Sequence, residues 1–336
     1  MAQQHYSFQS QKDFMENKLS SRAKRRKKIR GSALISALFI MTLVSIATTA
    51  MMLRLQHDIQ HVRLSITTDK LYLASQQVIF WGMGALTKDP MPKDPRFYIF
   101  PKTQQKNYPG ITVSGELIDL QGRFNLNELI NVESDEKNQI NQAGFYLLLN
   151  TVLTESQASQ NRLVVAATKD WVNEKANDQS ADQYQSYYQA QKPPYAASHQ
   201  PMKSISEFRL IRGVDDKLYK IMQPYLSALP SPTPINLNTA SAPVIMTLAA
   251  DIDKNEAARL ISNRGPQGFR DLTQVNDFLL KYKIPTERIT LESDYFLCVA
   301  NAKADGLEII HYAILKRGNH QNKRVTYILH DSLNDY

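Results

Sequence analysis

Histidines are the first place to look for chemistry. The chain has seven, at positions 5, 57, 61, 199, 311, 320 and 330. Only His57 and His61 carry a metal-binding spacing, four apart on a helical pattern, and no third ligand accompanies them. All seven are expected at polar surface positions. The single cysteine, Cys298, lies in the strand-like run Tyr-Phe-Leu-Cys-Val-Ala and reads as a small apolar filler, since a lone thiol closes no internal disulfide. Neither a Gly-x-Ser-x-Gly elbow, a phosphate loop nor a dinucleotide fingerprint occurs. An enzyme is therefore not expected.

The formal charge of +8 suggests nucleic acid, but its distribution does not. Residues 1–31 hold nine Lys or Arg against two acids, so the remaining 305 residues carry only +1. Residues 1–21 are polar and expected to be disordered. Seven basic residues then crowd into positions 22–30, directly before 22 uncharged residues, Ser32 to Leu53. As a helix that run is roughly 33 Å long, enough to cross a bilayer core of about 30 Å. Basic flanks stay cytoplasmic, which places residues beyond 53 outside the cytoplasm. The run is too long for a cleaved secretory signal, which leaves a plain signal anchor as one reading.

Outward from the span, apolar residues at 55, 59, 62, 66, 73, 80 and 83 step mostly by three, four or seven. One helix is predicted over residues 32 to about 86, weakened by Gly82 and Gly84 and ended by Pro90 and Pro92. A strand is predicted at 111–119, with a break at Gly122. Helices are predicted at 144–154, 160–173, 204–210, 215–227, 242–251, 255–263 and 271–282. Strands return at 294–300, 307–315 and 324–330, the last two joined by a hairpin around Gly318-Asn319.

Two sets of residues carry a family resemblance. The junction Arg30-Gly31-Ser-Ala-Leu-Ile-Ser-Ala-Leu resembles the N-terminus of a type IV prepilin. That resemblance implies peptidase cleavage after Gly31, N-methylation of the new first residue Ser32, and Ser36 at the position where most pilins have Glu. A subunit lacking that carboxylate needs no neighbour above it, which suits a filament tip. Further on, Asp119-Leu-Gln-Gly-Arg-Phe-Asn-Leu-Asn-Glu-Leu, Asp170-Trp171, Pro194-Tyr195, Ser204-Ile-Ser-Glu-Phe, Pro224-Tyr-Leu-Ser-Ala-Leu-Pro and Ile235-Asn-Leu-Asn-Thr-Ala-Ser appear in this order. Together they resemble the K-type minor pseudopilin of the type II secretion system.

This resemblance implies an α+β, type IV pilin-like fold, in which a long N-terminal membrane helix packs on an antiparallel sheet interrupted by a large all-helical insertion. The expected divisions are a leader (1–31), a transmembrane helix (32–53), a first pilin-like part (54–135), the insertion (136–291) and the C-terminal strands (292–336). The implied partners are the I-type and J-type minor pseudopilins, the prepilin peptidase and the inner-membrane secretion platform. The chain would be an inner-membrane, single-pass, non-enzymatic subunit with its C-terminal domain periplasmic. The family often carries a calcium-associated acidic loop. Here that loop offers Asp170, Asn173, Asp178 and Asp182, with Lys175 and Gln183 standing where the family tends to have acids. The bland reading is a solvated loop with Trp171 anchoring the helix before it.

The segment 234–282 also resembles a helix-hairpin-helix module, which grips DNA phosphates through bare backbone amides. The expected hairpin, Leu248-Ala-Ala-Asp-Ile-Asp-Lys, has no glycine and two acids. Structural reuse is expected rather than DNA binding, and a DNA-uptake protein or surface-pilus minor pilin is the alternative function.

Overall fold

The computed structural model describes residues 29–88, 98–103, 109–130, 135–153, 158–174 and 184–334. The chain divides into two compact units, Met1–Thr67 and Thr68–Tyr336. Helix α1, Ile29–Leu86, contributes to both.

In the first unit the run from Ser32 is apolar and wholly unburied. Four of its hydroxyls donate back into the helix, among them Ser36 to the Ser32 carbonyl (2.8 Å), Thr42 to Phe39 (2.8 Å) and Thr49 to Ser45 (2.8 Å). A helix in lipid needs this, because hydrocarbon offers its polar groups no partner.

The second unit continues from α1 through β1 (Thr112–Asp119), β2 (Phe124–Asn125), α2 (Asp135–Val152), α3 (Ala158–Trp171), α4 (Gln185–Gln189), α5 (Asp216–Met222), β3 (Leu226–Ser227) and β4 (Ile235–Asn236). It ends with α6 (Ala242–Met246), α7 (Lys254–Arg264), α8 (Asn276–Lys281), β5 (Ile289–Thr290), β6 (Tyr295–Ala304), β7 (Leu307–His320) and β8 (Lys323–Leu333). The main sheet has the order β1-β6-β7-β8, antiparallel throughout. Residues 120–294 therefore lie between two neighbouring strands. The described residues among them form helices and turns, with two short parallel pairings, β2 with β3 and β4 with β5.

Each face of the sheet has its own core. On one, Leu71, Ala74, Val78, Ile79 and Leu86 of α1 pack against Val113, Leu117, Phe296, Cys298, Ala300 and Leu315. The helix lies close here because two glycines permit it. A Cβ on Gly82 would sit 3.0 Å from the Cys298 sulfur, and one on Gly115 would collide with the Val78 side chain. Gly82, expected only to weaken the helix, thus serves the contact. On the other face, Tyr295, Leu297 and Ile314 join a larger core with Leu120, Phe124, Phe145, Phe208 and Val244.

Several predicted elements need correcting. The β7–β8 turn is at Gln321 and Asn322, both left-handed (φ 49° and 61°), and not at Gly318-Asn319. Gly318 is inside the ladder opposite Val325, where a Cβ would press on the Tyr327 ring at 3.0 Å. The glycine makes room for a cross-strand ring, while Asn322 tolerates the left-handed turn. The helix expected at 215–227 stops at Met222, where Pro224 opens a 3-10 turn leading into β3. The one expected at 242–251 is only the short α6, whose end Thr247 ties down by donating to the Val244 carbonyl (2.7 Å).

Two histidines leave the surface as well. His199 is 7% exposed and His311 only 1%. The Ser75 hydroxyl gives its one hydrogen to the Tyr72 carbonyl (2.7 Å), so it accepts from Nδ1–H of His311 at 3.1 Å. A buried imidazole is tolerated there because its polar atoms are paired.

Candidate functional site: the seam between sheet and insertion

The two segments quoted for the family resemblance, Phe124-Asn-Leu-Asn-Glu-Leu and Ile235-Asn-Leu-Asn-Thr-Ala, are the same device used twice. Each opens on a two-residue parallel strand and buries its leucine fully, Leu126 and Leu237. In each, the first asparagine turns back on its own chain. Asn125 Oδ1 accepts from the Asn127 N–H (3.2 Å) and Asn236 Oδ1 from the Asn238 N–H (2.9 Å).

The second asparagine clips two distant strands of chain together. Asn127 donates to the carbonyls of Met202 and Leu229 (both 2.9 Å) and accepts from the Met202 N–H (2.8 Å). Asn238 donates to Phe269 and Leu291 (both 2.9 Å) and accepts from the Phe269 N–H (2.6 Å). A primary amide, with two donors and an acceptor, is suited to joining otherwise unpaired backbone in this way. Gly268, at φ 65°, leaves room for the second clip, since a Cβ there would be 2.9 Å from Asn238 Oδ1.

Asp119, the last residue of β1, ties the second clip to the sheet. Its carboxylate accepts from Asn236 Nδ2 (2.8 Å), Thr239 Oγ1 (2.7 Å), Ser293 Oγ (2.7 Å) and the Gln121 N–H (2.8 Å). Desolvation raises its pKa above the usual carboxylate value, against those hydrogen bonds, which pull it down. Glu128 behaves likewise at the first clip. Its pKa is raised by desolvation although it accepts from the Thr233 N–H (2.8 Å).

Where the insertion returns to the sheet, Arg317 of β7 is 2% exposed. Its guanidinium donates to the carbonyls of Leu86 (3.1 Å), Lys88 (3.3 Å) and Ser293 (3.2 Å). It therefore caps the C-terminal end of α1, whose last carbonyls have no partner within the helix.

The segment resembling a helix-hairpin-helix has that shape: α6, a turn, then α7. The α7 amides are not bare. Asp253 caps them, accepting from the Glu256 N–H at 2.8 Å. A carboxylate thus occupies the position a phosphate would need.

A family model described as "Type II secretion system (T2SS), protein K" matches residues 122–231, and a second of the same description matches 235–284. Both fall inside the segment that interrupts the sheet, and each takes in one Asn-Leu-Asn clip. Type II secretion system protein K of Pseudomonas aeruginosa is 26% identical over 310 residues, covering 88% of this chain and 91% of that one.

The chain belongs to the type II secretion system protein K family.

The Klebsiella pneumoniae relative of the same description is 27% identical over 71% of this chain and 76% of its own, and that of Aeromonas hydrophila 30% over 49% and 53%. A chain from the crystal structure of the GspK-GspI-GspJ complex of the enterotoxigenic Escherichia coli Type 2 Secretion System superposes with a TM-score of 0.60 at 21% identity. The match covers 84% of this chain and 99% of that one. The fold is the pilin-like α+β expected of this family.

Of the residues the resemblance singled out, Gly31, Ser32 and Ser36 are all within α1. Asp170 and Asn173 stand at the end of α3, where the Asp170 carbonyl accepts from the Asn173 N–H (3.2 Å) and lies 3.1 Å from His199 Nδ1. Asp178 and Asp182 lie outside the described residues, as do residues 1–28 of the leader and His5. The described pair supplies two side chains toward the six to eight oxygens calcium takes. No group of three or more His, Cys, Asp or Glu able to hold a metal occurs among the described residues, and His57 and His61 stand exposed on α1. Trp171 is buried, as expected, and its indole N–H donates to Glu207 Oε2 at 3.2 Å. Sequence reasoning missed the clips and Arg317, although the repeat of Asn-Leu-Asn behind an apolar residue was a visible signal.

Proposed function

We propose that this family member is a non-enzymatic tip subunit of the type II secretion pseudopilus, one that starts or caps the filament as folded proteins cross the outer membrane. The observation that carries this is the position of residues 120–294 between two neighbouring strands, with an apolar anchor on the same chain. A projection of that bulk is hard to repeat along a closely packed fibre and is tolerable at an end. Ser36 agrees, since its hydroxyl is satisfied by its own helix at Ser32 and demands no charged neighbour.

In this reading the prepilin peptidase cuts after Gly31, Ser32 is methylated, and the apolar helix anchors the subunit in the inner membrane with Thr68–Tyr336 in the periplasm. The partners are the I-type and J-type minor pseudopilins, by analogy with the GspK-GspI-GspJ complex, and the secretion platform. Mass spectrometry of the membrane-extracted chain tests the proposal. A methylated Ser32 at the N-terminus supports it, and retention of residues 1–31 refutes it. A deletion strain that loses secreted enzymes but keeps transformation separates it from DNA uptake.

A further inference from the structure

Between the two clips lies a cavity of about 360 Å³, at the small end of the range for ligand pockets, about 300–1,000 Å³. Ile140 of α2 and Pro232, Pro234 and Pro285 give it apolar sides. Glu128 and Arg288, both half-buried, line it as well. The hydrogen bonds to the Glu128 carboxylate all fall on Oε1, from the Thr233 N–H (2.8 Å), Thr233 Oγ1 (3.4 Å) and Asn125 Nδ2 (3.5 Å). Oε2 has no partner among the described residues. Arg288 donates from Nη1 to the Leu248 carbonyl (2.9 Å), and its other guanidinium nitrogens likewise have no partner among the described residues.

Each of the two groups feels the other's charge, but no ion pair closes between them. Desolvation raises the pKa of Glu128 and lowers that of Arg288, so both have lost hydration that nothing in the pocket fully replaces. The other charged lining groups, Glu136, Lys137 and Glu287, are exposed and stay hydrated.

The geometry points to a binding site for a small zwitterion, a free amino acid or short peptide whose ammonium meets Glu128 Oε2, whose carboxylate meets Arg288 and whose apolar side chain lies against the prolines. A ligand of one sign would leave one desolvated group unmatched, and an uncharged ligand would leave both. The free carboxylate oxygen calls for an N–H donor, and a guanidinium with unused N–H groups for a planar, two-oxygen anion. Glu128 belongs to the first clip, while Arg288 directly precedes β5, which pairs with β4 at the second. A ligand held by both would therefore couple the two clips. This goes beyond the tip-subunit reading and does not depend on it.

Isothermal titration of the detergent-solubilised full chain with leucine, Leu-Leu and Leu-Leu-Leu tests the inference, with N-acetyl-Leu-Leu, Leu-Leu amide and phosphoethanolamine as comparisons. At least one of the three unblocked ligands is expected to bind with a millimolar or tighter Kd. Blocking either terminus should weaken binding about tenfold or more, as the loss of a charged hydrogen bond implies. Phosphoethanolamine, with the same two charges but no side chain for the apolar walls, should bind more weakly than the best peptide. Glu128→Gln and Arg288→Gln should each weaken binding about tenfold, the second variant keeping a donor for the Leu248 carbonyl. Should either fail to fold, Ile140→Trp fills the cavity from an exposed position without touching a charge, and it should abolish binding. No binding by any of the three ligands, equal binding of a blocked form, tighter binding of phosphoethanolamine, or unchanged binding in Ile140→Trp would overturn the inference.

Discussion

The guanidinium of Arg317 donates to the carbonyl of Leu86 at 3.1 Å, joining the third strand of the sheet to the end of the long helix. The same side chain reaches Ser293, where the insertion ends, so one buried cation gathers three parts of the chain. Replacing Arg317 with Met leaves those carbonyls without donors and should cost about 2–4 kcal/mol. Arg317→Lys, which keeps the charge but loses the planar fork, should cost less. Urea unfolding of the detergent-solubilised chain measures both.

Asn238→Ala removes three hydrogen bonds at once and opens the second clip, for an expected loss of about 2–4 kcal/mol. Asn127→Ala should do the same at the first clip. Limited proteolysis distinguishes the two. The Asn238 variant should become cleavable around residues 265–270 and the Asn127 variant around residues 200–204, each leaving the other clip protected.

Asp119 and Glu128 both have raised pKa values in the folded chain, so folding takes up protons. Their stabilising contribution is full below the unfolded carboxylate pKa of about 4 and declines as pH rises through the folded value. Just above the ordinary carboxylate range, stability should therefore fall as pH rises. Asp119→Asn should flatten that slope, and it should also lower stability by about 1–2 kcal/mol because the new amide opposes Asn236 Nδ2. A series of unfolding curves between pH 4 and 7 checks the sign. A steeper decline in the variant would contradict it.

Gly115→Ala places a methyl group against Val78 and 2.8 Å from the Val299 carbonyl. Overpacking of about 1–3 kcal/mol is expected. Val78→Ala in the same chain should recover part of it, whereas an ordinary loss of strand propensity would not be rescued.

Calcium at the loop that follows α3 is tested by thermal unfolding with millimolar calcium or chelator. Stabilisation by calcium that Asp170→Asn weakens would assign the metal to this loop. No shift in the wild type would remove the metal from this protein.

Much of the second unit was legible because its signals are local. The apolar steps of α1 and the alternation of β6, β7 and β8 follow from side chains a few residues apart. What escaped are pairings across long separations. Ser293 and Asp119 are 174 positions apart, and Arg317 meets Leu86 across 231. His311 was assigned to the surface because a histidine without its distant Ser75 looks simply polar. Gly318 was read as a turn because sequence alone does not show the Tyr327 ring beside it. At the candidate site, Asn236 and Asn238 were noticed as part of a motif, but their role depends on Phe269 and Leu291, which no local pattern indicates.

The placement of the insertion also has a mechanical meaning. It leaves the sheet after Asp119 and rejoins at Tyr295, and the Leu120 N–H donates to the Tyr295 carbonyl at 3.0 Å. The exit and entry points are thus stapled together. The ladder between β1 and β6 therefore closes directly and does not run through the helices between them. The insertion thus hangs from a single hydrogen-bonded doorway in the frame that α1 and the sheet form.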